Sequence, residues 1–405
     1  MSKVIFLELR LFRNSMLETY QIRQLVELGH EVEIWHIGSL FDVSSNVILN
    51  APAIQEYAVK IESLQALKAK VQQLEPNTII FSMLGMLYYY PILYKVFKSR
   101  KDLIWIGRIT KSLPLGSRKK VNPLKAMMGS IFFYKLYRPF SNAVLYVIQK
   151  ILRKWGNRLG INAFQPDYLM VSNASQAPAS FPKDRVIVTH ADDYNIHLLN
   201  KDVLPDPSAQ DAIVFLDQML YYHPDFKKLG EGLMNVDTYY QKLNQVLDDL
   251  SLKYGRPVVI AGHPEADKHP DYAKRFRGKK FVVGKSLNLV KHAFLVVSHY
   301  STATNFAVIY NKPVVLLDSG SFAGYEKIAS PIKVLKKALN ATIINIDSYN
   351  LETLDINLDP DFRVYKEAYI KSADTPEELS YPYAVKYVRK QINSEPKSYS
   401  LARTA

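Results

Sequence analysis

Short unbroken apolar runs alternate with longer amphipathic stretches along most of the chain. Val4–Leu9 reads as a first strand, and Ser15–Leu28 as a helix closed by Gly29, a residue suited to a left-handed helix end. Glu31–Ile37, Asn77–Met83, Leu103–Ile106, Asp167–Val171 and Arg185–Val188 read as further strands, with a helix over Ile61–Leu74. A segment holding Pro205 and Pro207 interrupts the pattern, and a second series follows. Its strands are Ala212–Leu216, Pro257–Ala261, Lys280–Val283, Phe294–Val297, Pro313–Leu317 and Ala341–Ile346. Its helices are Val236–Tyr254, Ser286–His292, roughly Ser301–Tyr310 and a terminal one over Pro376–Ser394. Runs with no polar alternation are the mark of parallel strands covered on both faces, and strand–helix alternation implies doubly wound sheets. The expected fold class is therefore α/β, with two Rossmann-like domains and a cleft between them. The expected domains are 1–200, 205–365, and a terminal segment 366–405 whose helix crosses back before a polar tail.

Length supports the division, because 405 residues exceed what one hydrophobic core usually serves. There are no cysteines, which excludes disulfides and thiolate metal sites. No apolar stretch of about twenty residues predicts a spanning helix, and no signal-peptide pattern precedes the first strand. The net charge of +14 favours anionic partners. Much of it falls between Lys111 and Arg158, where basic residues interleave with Phe132, Phe133, Tyr134, Tyr137, Tyr146 and Trp155 and no acid occurs. Amphipathic helices with solvated lysine faces would show much of this pattern, but the absence of acid favours helices lying on an anionic membrane surface, which is the expected partner. Nucleic acid is not an expected partner, since no binding module is recognisable.

The chemistry sits at strand ends. Gly262-His263-Pro264-Glu265 follows one apolar run, and Ser298-His299-Tyr300-Ser301-Thr302 follows another. Ligands of open α/β sheets bind at the carboxyl ends of strands, where helix N-termini favour anions. His263, Ser301 and Thr302 together can hold one phosphate group. Singly, His263 is as well explained by a loop carbonyl, and Ser301-Thr302 by helix capping. Asp217-Gln218 ends the first strand of the second series. Asp217 can serve as nucleophile or acid/base, or cap a turn. His223-Pro224-Asp225 lies just beyond. Glu265 fits ribose hydroxyls or solvent, and Lys285 fits a phosphate or solvent. Glu8, Arg10, Arg13 and Asn14 lie at the end of the first strand and are candidates for acceptor binding or a solvated loop. Asp192-Asp193 is a weaker candidate, as acidic pairs usually face water. No Gly-x-Gly-x-x-Gly follows the first strand, and no Walker loop, His-Glu-x-x-His or Gly-x-Ser-x-Gly occurs. Asp359-Pro360-Asp361 matches an Asp-x-Asp metal pattern but falls in a late loop, so no metal is expected.

His263-Pro264 followed by Ser301-Thr302 resembles the His-Pro and Ser-Ser/Thr motifs of bacterial CMP-sugar transferases, a group that includes sialyltransferases and Kdo transferases. The resemblance is nearest to the WbbB-type retaining β-Kdo transferase module. It implies a GT-B-like glycosyltransferase fold, with CMP on the C-terminal domain, and no cofactor beyond the CMP-sugar donor. It also implies that His263, Ser301 and Thr302 contact the CMP phosphate and Glu265 its ribose, with Pro264, Lys285 and Ser298 as further donor-binding candidates. Asp217 would match the carboxylate nucleophile, with Gln218 beside the substrate, and the acceptor would be a lipid-linked surface glycan at the cytoplasmic face of the inner membrane. No Asp/Glu-Asp/Glu-Gly motif occurs in the N-terminal half, a departure that puts an inverting sialyltransferase mechanism in doubt. The alternatives are an inverting transferase using sialic acid or another nucleotide sugar, and a non-catalytic membrane-surface module that keeps a degenerate nucleotide fold.

Overall fold

The computed structural model describes residues 2–9, 12–41, 51–83, 93, 96–97, 99–109, 113–114, 166–204, 206–222 and 235–394. The basic stretch 115–158, Arg10 and His223-Pro224-Asp225 lie outside the described residues. The chain divides into two units. One comprises Met1–Thr110, Arg118–Thr189 and Pro376–Ala405, and the other Lys111–Ser117 and His190–Thr375.

The first unit is built on a sheet of seven strands: β1 (Lys3–Glu8), β2 (Glu31–His36), β3 (Ala58–Lys60), β4 (Ile79–Ser82), β5 (Ile104–Ile109), β6 (Tyr168–Val171) and β7 (Val186–Val188). Their order is β3-β2-β1-β4-β5-β6-β7, and every pairing is parallel. The strand period of two splits β1 between two cores: Val4 and Phe6 face one, Ile5 and Leu7 the other. The helix α1 (Ile22–Glu27) ends at Gly29, whose φ of +81° and paired bonds from Gly29 N to Val26 O and His30 N to Leu25 O form the expected left-handed closure.

The sequence pattern predicts one helix over Ser15–Leu28. The structure breaks it at Gln21, which takes a φ of +54°. Gln21 is fully buried, and its Oε1 accepts the amide of Tyr381 at 2.9 Å. That bond receives the terminal helix α2 (Ser380–Ser394), whose Tyr381, Ala384, Val385 and Val388 enter the first unit's core at helical spacing. Val385 and Val388 each contribute on the order of 2 kcal/mol of hydrophobic transfer, and Ala384 under about 1 kcal/mol.

The second unit carries six strands: β8 (Ile213–Leu216), β9 (Val258–Gly262), β10 (Lys280–Val283), β11 (Leu295–Ser298), β12 (Val314–Asp318) and β13 (Thr342–Asn345). The order is β10-β9-β8-β11-β12-β13, again all parallel. After β8 the chain winds to one side through β9 and β10, then returns to lay β11, β12 and β13 on the other. The winding direction thus reverses between β8 and β11, which creates a crevice at their carboxyl ends. Both faces are apolar, with Phe215 and Val297 on one and Val214, Leu216 and Val296 on the other. Among the described residues no helix is long and apolar enough to cross a membrane.

Candidate active site

The crevice between β8 and β11 opens into a cavity of about 560 Å³ in the second unit. Its lining includes Asp217 and Gln218 from the end of β8, His263 and Pro264 from the end of β9, and Tyr300, Ser301 and Thr302 from the end of β11. A volume of this size suits a small ligand. Leu113, Pro114, Ile196, Phe306 and Leu335 form its apolar wall. The end of β9 passes so close to Phe281 that a Cβ on Gly262 would meet the ring at 2.4 Å, so any larger residue just before His263 would force that ring to shift.

Asp217 is buried, with 8% of its surface exposed. Its Oδ1 accepts the Met219 amide at 3.1 Å, and the Tyr272 hydroxyl reaches both carboxylate oxygens at 2.9 Å. Burial pushes its carboxyl up to about 6, against the downward pull of the Met219, His263 and Gln218 amides and of Tyr272. Such a group is ionised at neutral pH yet poorly hydrated, which suits a nucleophile. Gln218 spans the crevice and accepts the Tyr300 amide on its Oε1 at 2.9 Å.

His263 Nδ1 accepts the Glu265 amide at 3.1 Å. In the neutral ring the proton therefore resides on Nε2, which makes that atom a donor. Helix α3 (Asp192–Leu199) precedes β8, α4 (Val236–Tyr254) lies between β8 and β9, and α5 (Thr304–Ile309) follows β11; Ser301 Oγ accepts the Ala303 amide at 3.2 Å in the turn that leads into α5. The helix expected from Ser301 begins at Thr304, because residues 301–303 form turns closed by Thr304 N to Ser301 O and Asn305 N to Thr302 O.

Other candidates stand elsewhere. Ser298 is fully buried beneath the turn, where its Oγ accepts the Ser301 amide and the Thr304 hydroxyl. Glu265 pairs with Lys268 at 2.8 Å, and Lys285 is exposed, 4.0 Å from Asp206. Neither Ser298, Glu265 nor Lys285 belongs to the cavity lining. In the first unit Glu8 is buried rather than solvated, and accepts the Tyr20 hydroxyl and the Leu9 amide, while Arg13 is exposed. Asp361 of the Asp-x-Asp pattern is held by Arg363. Among the described residues no three acidic or histidine side chains group as a metal site.

Asp193 is the residue that sequence reading undervalued. It lines the cavity, and only 9% of it is exposed. Its Oδ2 accepts Asn305 Nδ2 at 2.7 Å, and the Tyr365 hydroxyl donates to Asn305 Oδ1 at 3.0 Å. Burial pushes the carboxyl up to about 7. The signal that could have marked it is the neighbouring pattern: Tyr194, Ile196 and Leu198 pack into the core, so α3 is not a solvated helix.

No protein-family model matches the chain, and no curated protein matches it. Among solved structures, it is similar to the wall teichoic acid polymerase TagF (H444N variant) over 97% of this chain and 89% of that one, at 12% identity and a TM-score of 0.51. It aligns with CalG4, the calicheamicin glycosyltransferase, over 97% of this chain and 99% of that one, at 13% identity and a TM-score of 0.49. It aligns with S. aureus MnaA bound to UDP over 98% and 99%, at 11% identity and a TM-score of 0.43. At such identities the likeness concerns fold: the chain has the GT-B-like fold class, two Rossmann-like α/β domains each on a parallel sheet.

Proposed function

We infer that this chain is a glycosyltransferase whose nucleotide-sugar donor occupies the cavity of the second unit. The observation that supports this most is the convergence of Asp217, His263, Ser301 and Thr302 on one cavity at the point where the sheet reverses its winding. Fold alone would not carry the reading, because function resides in the site.

The finer reading is transfer of Kdo from CMP-Kdo with retention. Asp217 attacks the anomeric carbon, the bond to the CMP phosphate breaks, and the electron pair leaves with the phosphate. The His263 Nε2 proton and the Ser301 and Thr302 hydroxyls stabilise the charge that develops there. An acceptor hydroxyl then displaces Asp217. A monophosphate leaving group needs less neutralisation than a diphosphate, which fits donors of this modest kind. The acceptor in this reading is a lipid-linked surface glycan at the inner membrane, and the acid-free stretch from Lys111 to Arg158 suits peripheral binding to anionic lipid.

A thermal-shift titration with CMP, UDP, GDP and ADP tests it. A rise in melting temperature with CMP alone is expected, since a ligand that binds only the native state stabilises it. Stabilisation by UDP or GDP instead would discard CMP-Kdo and keep a glycosyltransferase. No response to any nucleotide would favour a membrane-surface module. With CMP-Kdo as donor, the anomeric configuration of the product by NMR distinguishes retention from inversion.

A further inference from the structure

The two-step reading leaves one chemical requirement unmet. Once Asp217 carries the sugar as an ester, it cannot also take the proton of the incoming acceptor. A second basic group must lie in the same cavity. We propose that Asp193 is that group, the general base that deprotonates the acceptor in the second displacement.

The assignment rests on the transferase reading, and on four observations of its own. Asp193 lines the same cavity as Asp217. Its Oδ2 is fixed by Asn305, and the carboxylate also accepts its own backbone amide. Asn305 lies in the first turn of α5 and its backbone amide closes on the Thr302 carbonyl, so the clamp ties Asp193 to the turn that carries Ser301 and Thr302. Tyr365 holds the far side of Asn305 and fixes its amide orientation, with the NH2 toward Asp193. A carboxylate held so, in a cavity whose wall also carries Ile196 and Phe306, is placed as a directed acceptor rather than a solvated surface charge. Its carboxyl lies at about 7, near the value at which a base both accepts a proton readily and is still ionised at neutral pH.

The step balances. The acceptor oxygen forms a bond to the anomeric carbon and its proton passes to Asp193. The bond between that carbon and the Asp217 oxygen breaks, and its electron pair restores the Asp217 carboxylate. Asp193 then returns the proton to solvent. The first displacement requires no proton from Asp193, because the phosphate leaves as an anion.

The test uses the full chain with CMP-Kdo as donor, water as acceptor, and CMP release as readout. Asp193→Asn keeps an oxygen for Asn305 and cannot accept a proton. Steady turnover should fall roughly 10²- to 10⁴-fold. Intact-mass analysis should show the enzyme carrying one Kdo, located on the Asp217 peptide. In Asp193→Ala, azide should restore turnover and yield the azido sugar, since azide attacks without losing a proton. A residue that only supports the fold would give neither the trapped ester nor the azide product. Turnover within about two-fold of wild type in both variants overturns the assignment. So does a variant that is folded and still stabilised by CMP but shows neither ester nor azide product. A wild-type chain that releases no CMP is a distinct failure, visible before any variant is made, and it removes the CMP-Kdo reading and the base assigned within it.

Discussion

The Tyr272 hydroxyl stands 2.9 Å from both carboxylate oxygens of Asp217, and the Tyr240 hydroxyl stands 2.8 Å behind it. Tyr272 gives its proton to Asp217, so Tyr240 donates to Tyr272. Burial pushes both phenols far above their usual range, and they remain neutral donors at any working pH. This chain of hydroxyls holds the ionised form of Asp217 in place. Tyr272→Phe should therefore raise the Asp217 carboxyl above about 6, by about one pH unit if the bond contributes on the order of 1 kcal/mol. Infrared titration of the carboxyl measures this without substrate, and the acid limb of turnover should move to higher pH with it. An unmoved titration would show that Tyr272 does not tune Asp217.

Asp217→Asn preserves the shape of the side chain and an acceptor for the Met219 amide and Tyr272 hydroxyl. It removes the nucleophile. Donor turnover should fall by about 10³-fold or more, with stabilisation by CMP retained. Loss of CMP binding alongside turnover would instead make Asp217 part of the binding surface.

His263→Ala removes the Nε2 donor fixed by the Glu265 amide bond to Nδ1. A hydrogen bond to a charged oxygen contributes about 1.5–3 kcal/mol. Turnover should fall roughly 10- to 100-fold, and the CMP-induced rise in melting temperature should shrink. Full retention of both would remove His263 from the phosphate site.

The strands of the second unit are legible because parallel strands covered on both faces need unbroken apolar runs, as in Ile213–Leu216 and Leu295–Ser298. The polar residues that end those runs are legible for the same reason: Asp217, His263 and Ser301 break the pattern where the chain must turn. Asp193 is not legible, because what decides its environment lies far along the chain. Asn305 is 112 residues away, and Tyr365 a further 60. Tyr272 is hidden likewise, 55 residues from the carboxylate it contacts. The break at Gln21 has its cause in Tyr381, 360 residues on. Strand β3 has three residues at the edge of its sheet, too few for a period to emerge.

Tyr381 anchors the terminal helix by its ring. It stands edge-on to Phe6 at 5.0 Å and to Phe81 at 4.9 Å, with no exposed surface. Tyr381→Ala leaves a cavity among Phe6, Phe81 and Tyr20, and should cost about 3–5 kcal/mol in denaturant unfolding of the first unit. A cost under about 1 kcal/mol would mean that α2 contributes little to that core.

His299 gives a pH-dependent stability with a definite sign. It is fully buried, between the Tyr239 hydroxyl at 2.8 Å and the Leu317 carbonyl at 2.9 Å. Burial pushes the imidazole down from 6.5 to about 4. Between those values the unfolded chain holds a proton that the folded chain refuses, so this contribution is complete above pH 6.5 and is lost as pH falls towards 4. The loss is on the order of 3 kcal/mol. Asp217 and Asp193 act in the opposite direction, because their folded values lie above 3.8 and folding retains their protons in the same window. The raw profile of the wild type therefore mixes both signs. The difference between wild type and His299→Gln isolates the imidazole: the wild type's advantage should shrink as pH falls from 6.5 to 4. A difference that stays constant across that range would show that His299 titrates alike in the folded and unfolded chains.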